Sequence, residues 1–135
     1  DCLLSRGLGD VYKRQVLEPL SGYMLLASKM WDEPAKYCEG WNFGPRAESI
    51  TSVWDVASMV IENYGSGELK DLSDPKALHE AKLLMLDISK AKFMLGWEPR
   101  MDIKQTVALT VEWYKQYEVE DIYSLCLKQI EKYLQ

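Results

Sequence analysis

The single histidine of the chain, His79, stands directly before Glu80 and just ahead of the apolar run Leu83–Leu86. A carboxylate in that position can accept hydrogen bonds from a ribose diol, and an imidazole can contact a phosphate or a base. The alternative is an exposed loop pair that holds nothing. His79-Glu80 also begins like the HExxH zinc-protease motif, but Leu83 occupies the place of the second histidine, so a metal centre is not expected. Arg100 can pair with a diphosphate, or lie on the surface beside Asp102. Asn42 can contact a substrate, or satisfy the backbone of a turn. Trp41, Phe43, Trp54 and Trp97 can stack on a sugar, or fill a core. For Arg100, Asn42 and the four aromatics the structural role is the expectation.

Other reactive patterns are missing. The sequence has no GxGxxG turn to cradle a dinucleotide, no Tyr four residues before a Lys, and no GxSxG nucleophile elbow. No residue is therefore assigned a catalytic, cofactor-binding or metal-binding role from local pattern. The three cysteines, Cys2, Cys38 and Cys126, are scattered without CxxC spacing, which fits neither a disulfide framework nor a zinc knuckle.

The elements that must position these side chains follow from periodicity and punctuation. Leu17, Leu20, Met24 and Ala27 fall at helical spacing with Pro19 in the first turn, and Asp32-Glu33-Pro34 stops this helix near Trp31. Glu39–Pro45 predicts a short buried strand followed by a turn. A second helix starts at Thr51 or Ser52, buries Val53, Val56, Ala57, Val60 and Tyr64, and ends at Gly65. Short strands are expected at Glu68–Leu72 and Lys82–Leu86, with a loop at Asp74-Pro75 between them. Asp87 caps a helix over Ser89–Leu95 that Gly96 stops, and the Trp97–Arg100 link is non-helical because of Pro99. Asp102 caps a helix with the stripe Ile103, Val107, Val111 and Tyr114. Asp121 caps the last helix, with Ile122, Cys126, Ile130 and Tyr133 on one face. The expected class is α/β, with more helix than strand.

The chain has 135 residues, 47% of them apolar, with five Trp, eight Tyr and two Phe, enough for one domain with a real core. Its net charge of −5 and the absence of a basic block argue against nucleic-acid binding. No apolar run reaches the roughly 18 residues of a membrane span, so a cytoplasmic, soluble protein is expected. Asp1–Gln15 has neither the apolar core of a signal peptide nor an amphipathic period. Ser5–Gln15 resembles the translation of a sequencing-library adapter ending in a transposon end. Residues 1–15 are therefore expected to be an artefact of assembly, with native sequence from Val16. Without their two acids and three bases, 13 basic and 19 acidic residues remain, a net charge of −6.

Four stretches then carry a resemblance: VLEPLSGYMLLASKM, EGWNFGP, LHEAKLLMLDISKAKFMLGWEPR and TVEWYKQY. In this order and spacing they resemble the C-terminal half of the CDP-glucose 4,6-dehydratases, a branch of the NAD-dependent extended short-chain dehydrogenase/reductase (epimerase/dehydratase) family. SKAKFMLGWEPR is shared by many nucleotide-sugar enzymes, whereas VLEPLSGY and HEA point to the CDP-glucose branch. The resemblance implies that residues 16–135 are an incomplete, C-terminal substrate-binding portion of an extended, Rossmann-like fold. It implies a parent lyase that uses NAD to convert CDP-glucose to CDP-4-keto-6-deoxyglucose for deoxysugar and surface-polysaccharide synthesis, and that forms homodimers through helices of the upstream half. The family's catalytic and NAD-binding motifs lie upstream, so none is carried over. An acidic residue seven positions before the Asp of the Asp-x-Ser-Lys-Ala motif contacts the nucleotide ribose in relatives. Here that Asp is Asp87 and the residue is Glu80, with His79 beside it. The relatives' diphosphate arginine falls on Ala77, a departure that leaves phosphate binding to other groups. In such a fold Val16–Trp31 and Gly40–Phe43 pack on the dinucleotide-binding sheet, and without that sheet their apolar faces lack cover. The chain alone is then expected to bind no NAD and to be inactive. Other readings are a fragment of another NDP-sugar epimerase or dehydratase, and a small non-enzymatic α/β interaction module.

Overall fold

Helix boundaries are set where side chains or special backbone angles supply the hydrogen bonds a helix end lacks. The computed structural model describes residues 16–49, 51–72 and 86–135. Among these, α1 spans Leu17–Asp32, α2 Pro34–Tyr37, α3 Val53–Tyr64, α4 Ile103–Gln116 and α5 Ile122–Leu134. Ser52 caps α3 by accepting the Asp55 N–H at 3.1 Å, and Gly65, at φ +90°, ends it in the left-handed region. Asp102 and Gln105 form a reciprocal capping box on α4. Asp121 accepts the Ser124 N–H at 2.8 Å to start α5. Asp87 likewise takes the Ser89 N–H at 2.8 Å, opening a helical turn that widens into a π-turn over Ala91–Leu95. Gly96, at φ +71°, stops that turn as expected.

Two packed groups result. In the first, Tyr37, Phe43, Ala91, Leu95 and Trp97 are buried, with Leu25, Leu26, Met30, Trp41 and Ile88 against them. Its centre is a chain of edge-to-face rings: Tyr23 on Phe43 at 5.4 Å between centroids, and Phe43 on Trp97 at 5.0 Å. Phe43 lies flush on the backbone of α1 at Gly22, where an added Cβ would sit 2.2 Å from Phe43 Cδ1. In the second group α4 lies against α3 and α5, burying Ala57 of α3, Val107, Leu109 and Val111 of α4, and Leu125 of α5. Gln129 belongs to this interior because its Nε2 donates to the Leu109 carbonyl at 2.8 Å.

Several expectations are corrected. No strand occurs among the described residues. Glu39–Pro45 is irregular, since extended chain becomes a strand only with a ladder partner beside it. Glu68–Leu72 is largely exposed and also irregular, and Lys82–Met85 lie outside the described residues. On α3 only Ala57 is fully buried, while Val53, Val60 and Tyr64 stay partly exposed. Helix α5 turns Leu125, Gln129 and Tyr133 inward and leaves Ile122 and Ile130 outward. Of the expected face only Tyr133 is fully buried; Leu125 and Gln129 take the other inward places, Gln129 through its bond to the Leu109 carbonyl. Trp54 is half exposed rather than core, unlike Phe43 and Trp97.

Gly22→Ala is expected to destabilise the chain by about 1–3 kcal/mol through overpacking against Phe43. Gly40→Ala, which meets nothing within 4 Å, changes little, and urea midpoints compare the two. The cap bonds from Ser124 and Ser89 hold the Asp121 and Asp87 carboxyls below their ordinary range. Their contribution is complete above the unfolded aspartate value and is lost as pH falls through the lower folded value. Asp121→Asn keeps a capping oxygen but removes that titration, so its acid unfolding curve is shallower than that of the parent chain.

Candidate functional site

Glu18 stands in the first turn of α1, where an acidic residue ordinarily faces water and complements the helix dipole. Here it is only 8% exposed. Its carboxylate accepts the backbone N–H of Arg100 at 2.9 Å and of Met101 at 2.7 Å, and Tyr133 Oη lies 3.0 Å from its second oxygen. Ser21, one turn on, accepts the Trp97 indole N–H at 2.9 Å and donates to the Glu18 carbonyl at 2.7 Å. Two segments remote in sequence, the Trp97–Met101 link and the end of α5, thus meet on one face of α1. Burial raises the Tyr133 phenol above its ordinary pKa, and the neighbouring Glu18 charge pushes the same way. The Arg100 guanidinium lies 5.6 Å from the Tyr133 ring centre and reaches the Leu134 carbonyl rather than Asp102. Arg100 is therefore a surface side chain, as expected, with a different neighbour.

A second junction joins residues 39–44 to residues 86–90. Asn42 Nδ2 donates to the Asp87 carbonyl at 3.2 Å, a bond across the fold rather than within its own turn. Lys90 donates to the Gly40 carbonyl at 3.0 Å, pairs with the Glu39 carboxylate, and lies 4.4 Å from the centre of the Trp41 ring. This ring is braced in turn by its own N–H bond to the Tyr37 carbonyl at 3.0 Å. The junction leads into the segment that carries the sequence-predicted pair, but His79 and Glu80 themselves lie outside the described residues.

Two openings line these junctions. The smaller, about 40 Å³ between Glu18, Phe43, Pro99 and Thr106, has room for about one water. The larger is an open cleft of about 510 Å³ beside the start of α4, where Arg46, Arg100 and Lys104 stand among Glu48 and Asp102. Arg46 is committed to the Pro99 carbonyl at 2.8 Å. No group of three or more metal-ligating side chains occurs among the described residues, and no helix there is long and apolar enough to cross a membrane. The Glu18–Ser21–Tyr133 cluster escaped sequence reasoning. Its only sequence trace is a carboxylate beside proline in the apolar first half of the helix.

Removing the Glu18 carboxylate leaves the backbone N–H groups of Arg100 and Met101 without their acceptor and the Tyr133 phenol with Ser21 Oγ alone. Glu18→Ala is expected to cost about 3 kcal/mol or more, at 1–3 kcal/mol per orphaned buried group. Tyr133→Phe removes the phenol's contacts with both Glu18 and Ser21 and costs about 1–2 kcal/mol. Chemical denaturation of the two single variants and the double variant checks both values, with the double variant costing less than their sum.

No family model matches the chain. A CDP-glucose 4,6-dehydratase of Salmonella typhimurium is 38% identical over 122 residues, which cover 90% of this chain and 34% of that enzyme. The chain thus spans about a third of the length of the curated relative it matches. The resemblance read from VLEPLSGY, HEA and the Asp87–Arg100 stretch holds: across nine-tenths of its length this chain is similar to a CDP-glucose 4,6-dehydratase.

Proposed function

We propose that residues 16–135 are the C-terminal, substrate-lobe portion of a CDP-glucose 4,6-dehydratase, forming a wall of the nucleotide-sugar site. The observation that carries this reading is the 38% identity along 90% of the chain, joined to the branch-specific motifs. In this reading Glu80 accepts hydrogen bonds from the cytidine ribose, and His79 stands beside it toward the phosphates. Asn42 and Lys90 hold the backbone from which that segment departs, through their bonds to Asp87 and Gly40. The whole enzyme would remove water from CDP-glucose to give the 4-keto-6-deoxy sugar, with bound NAD supplying the hydride chemistry.

The residues of this chain do not fit NAD. The sequence lacks a GxGxxG turn, and the described residues contain no strand to lead into one. No step through the cofactor is therefore assigned to this polypeptide. A Rossmann-like sheet, a homodimer and a cytoplasmic site of action are likewise proposed for the whole enzyme. The exposed outer face of α1 is the surface on which such a sheet would pack.

Titration of isotope-labelled chain with CDP, UDP, GDP and dTDP tests this reading by amide chemical shifts. CDP is expected to perturb signals around Asp87 and Lys90 most strongly, and Glu80→Gln to weaken that response about tenfold, the loss of one charge-assisted contact. CDP-glucose supplied with NAD is expected to remain unconverted. Turnover by the purified chain, or equal responses to all four nucleotides, overturns the proposal.

A further inference from the structure

The smaller of the two openings brings polar groups from two helices to one small space. Glu18 of α1 and Thr106 of α4 line it, and the Phe43–Pro45 segment and Pro99 complete the wall. Both polar residues are more than nine-tenths buried, Thr106 at 6% exposure and Glu18 at 8%. A threonine within a helix ordinarily returns its hydroxyl to the carbonyl one turn back, as Thr110 does to Thr106 at 2.8 Å. Thr106 departs from this habit. The Asp102 carbonyl takes its backbone N–H at 3.1 Å, and its hydroxyl bonds no group among the described residues. Since no sealed side-chain polar atom there lacks a partner, this hydroxyl opens on the pocket its residue lines. Glu18 also has capacity to spare. A carboxylate offers about four acceptor positions, and the N–H groups of Arg100 and Met101 with the Tyr133 phenol fill three of them.

We infer that this pocket is a hydration site, in which one ordered water joins Glu18 to Thr106. The water donates to the remaining position on Glu18 and accepts the Thr106 hydroxyl. Its second hydrogen goes to a carbonyl of Phe43–Pro45, a segment that has no ladder partner. About three bonds are what a buried water makes, and the pocket's 40 Å³ or so exceeds the roughly 10–15 Å³ that one water needs. Other occupants fit less well. A hard cation takes about six oxygen ligands, whereas Glu18 and Thr106 supply the side-chain oxygens of this wall. An anion would face the Glu18 carboxylate, and an apolar guest would leave the Thr106 hydroxyl unbonded. The water thereby ties the Phe43–Pro45 segment to the Glu18 cluster, next to the bond from Asn42 to Asp87. Neither Glu18 nor Thr106 belongs to the proposed nucleotide contacts, so this site stands apart from them.

Water–protein NOE and ROE spectra of the isotope-labelled chain test the site. Cross-peaks from water to the Thr106 methyl and the Met101 amide are expected, with the sign of a long-lived water. The Met101 cross-peak is expected to persist in Tyr133→Phe, which excludes relay through the phenol proton. Thr106→Val, close in shape but without the hydroxyl, is expected to lose both cross-peaks and to lower the urea midpoint. Thr106→Ser keeps the Met101 cross-peak although it loses a methyl. Xenon, which enters dry apolar cavities, is expected to leave the Phe43 and Met101 signals unshifted. Absence of a long-lived water at Met101, a Thr106→Val midpoint at or above the parent's, or xenon shifts at this pocket each overturns the inference. Should Thr106→Val fail to fold, the parent and Thr106→Ser spectra decide by the same cross-peaks.

Discussion

The carboxylate of Glu18 is the constraint on which the rest of the molecule depends. A buried carboxylate costs several kcal/mol unless its oxygens are filled with donors. The donors here come from Arg100 and Met101 in the link before α4 and from Tyr133 near the end of α5. Satisfying one side chain of α1 therefore requires that the link and the last helix both come to it. Pro99 helps, because it keeps the link out of helical geometry and leaves successive N–H groups free to point the same way. Helix, link and terminal helix are a cooperative unit, and none can shift without leaving a buried polar group alone.

The aromatic core is arranged around the same helix. Ser21 receives the Trp97 indole, which turns the ring edge toward Phe43, and Gly22 lets Phe43 lie on the α1 backbone. Residues 39–44 are then held a second time, from the other side, by Asn42 on Asp87 and by Lys90 on Gly40. These long-range bonds join stretches of chain about 45–50 residues apart without a β-ladder. The extended segment is fixed by side-chain bonds where a sheet would have used backbone pairing.

This construction separates structure from chemistry. The polar groups that are buried serve one another, and no buried side-chain polar atom among the described residues lacks a partner. What faces outward is of two kinds. Charged pairs such as Lys128 with Glu120 and Lys92 with Glu98 are exposed and contribute little to stability. The outer side of α1, by contrast, is apolar and asks for cover.

Local chemistry was legible in the residues themselves. Ser52, Asp87, Asp102 and Asp121 cap as their types and positions require, and Gly65 and Gly96 end helices because glycine enters the left-handed region at little cost. These features depend on neighbours within a few residues, so sequence alone determined them. The motifs from Val16 to Tyr117 likewise determined the likeness to a nucleotide-sugar dehydratase. Tertiary structure decided which face of each helix is inside. It buried Glu18 and Gln129, turned Val60, Tyr64 and Ile130 toward solvent, and sent the Asn42 amide to a carbonyl 45 positions away. The reason is that burial of a polar group depends on donors brought from elsewhere in the chain, and no window of sequence contains both partners.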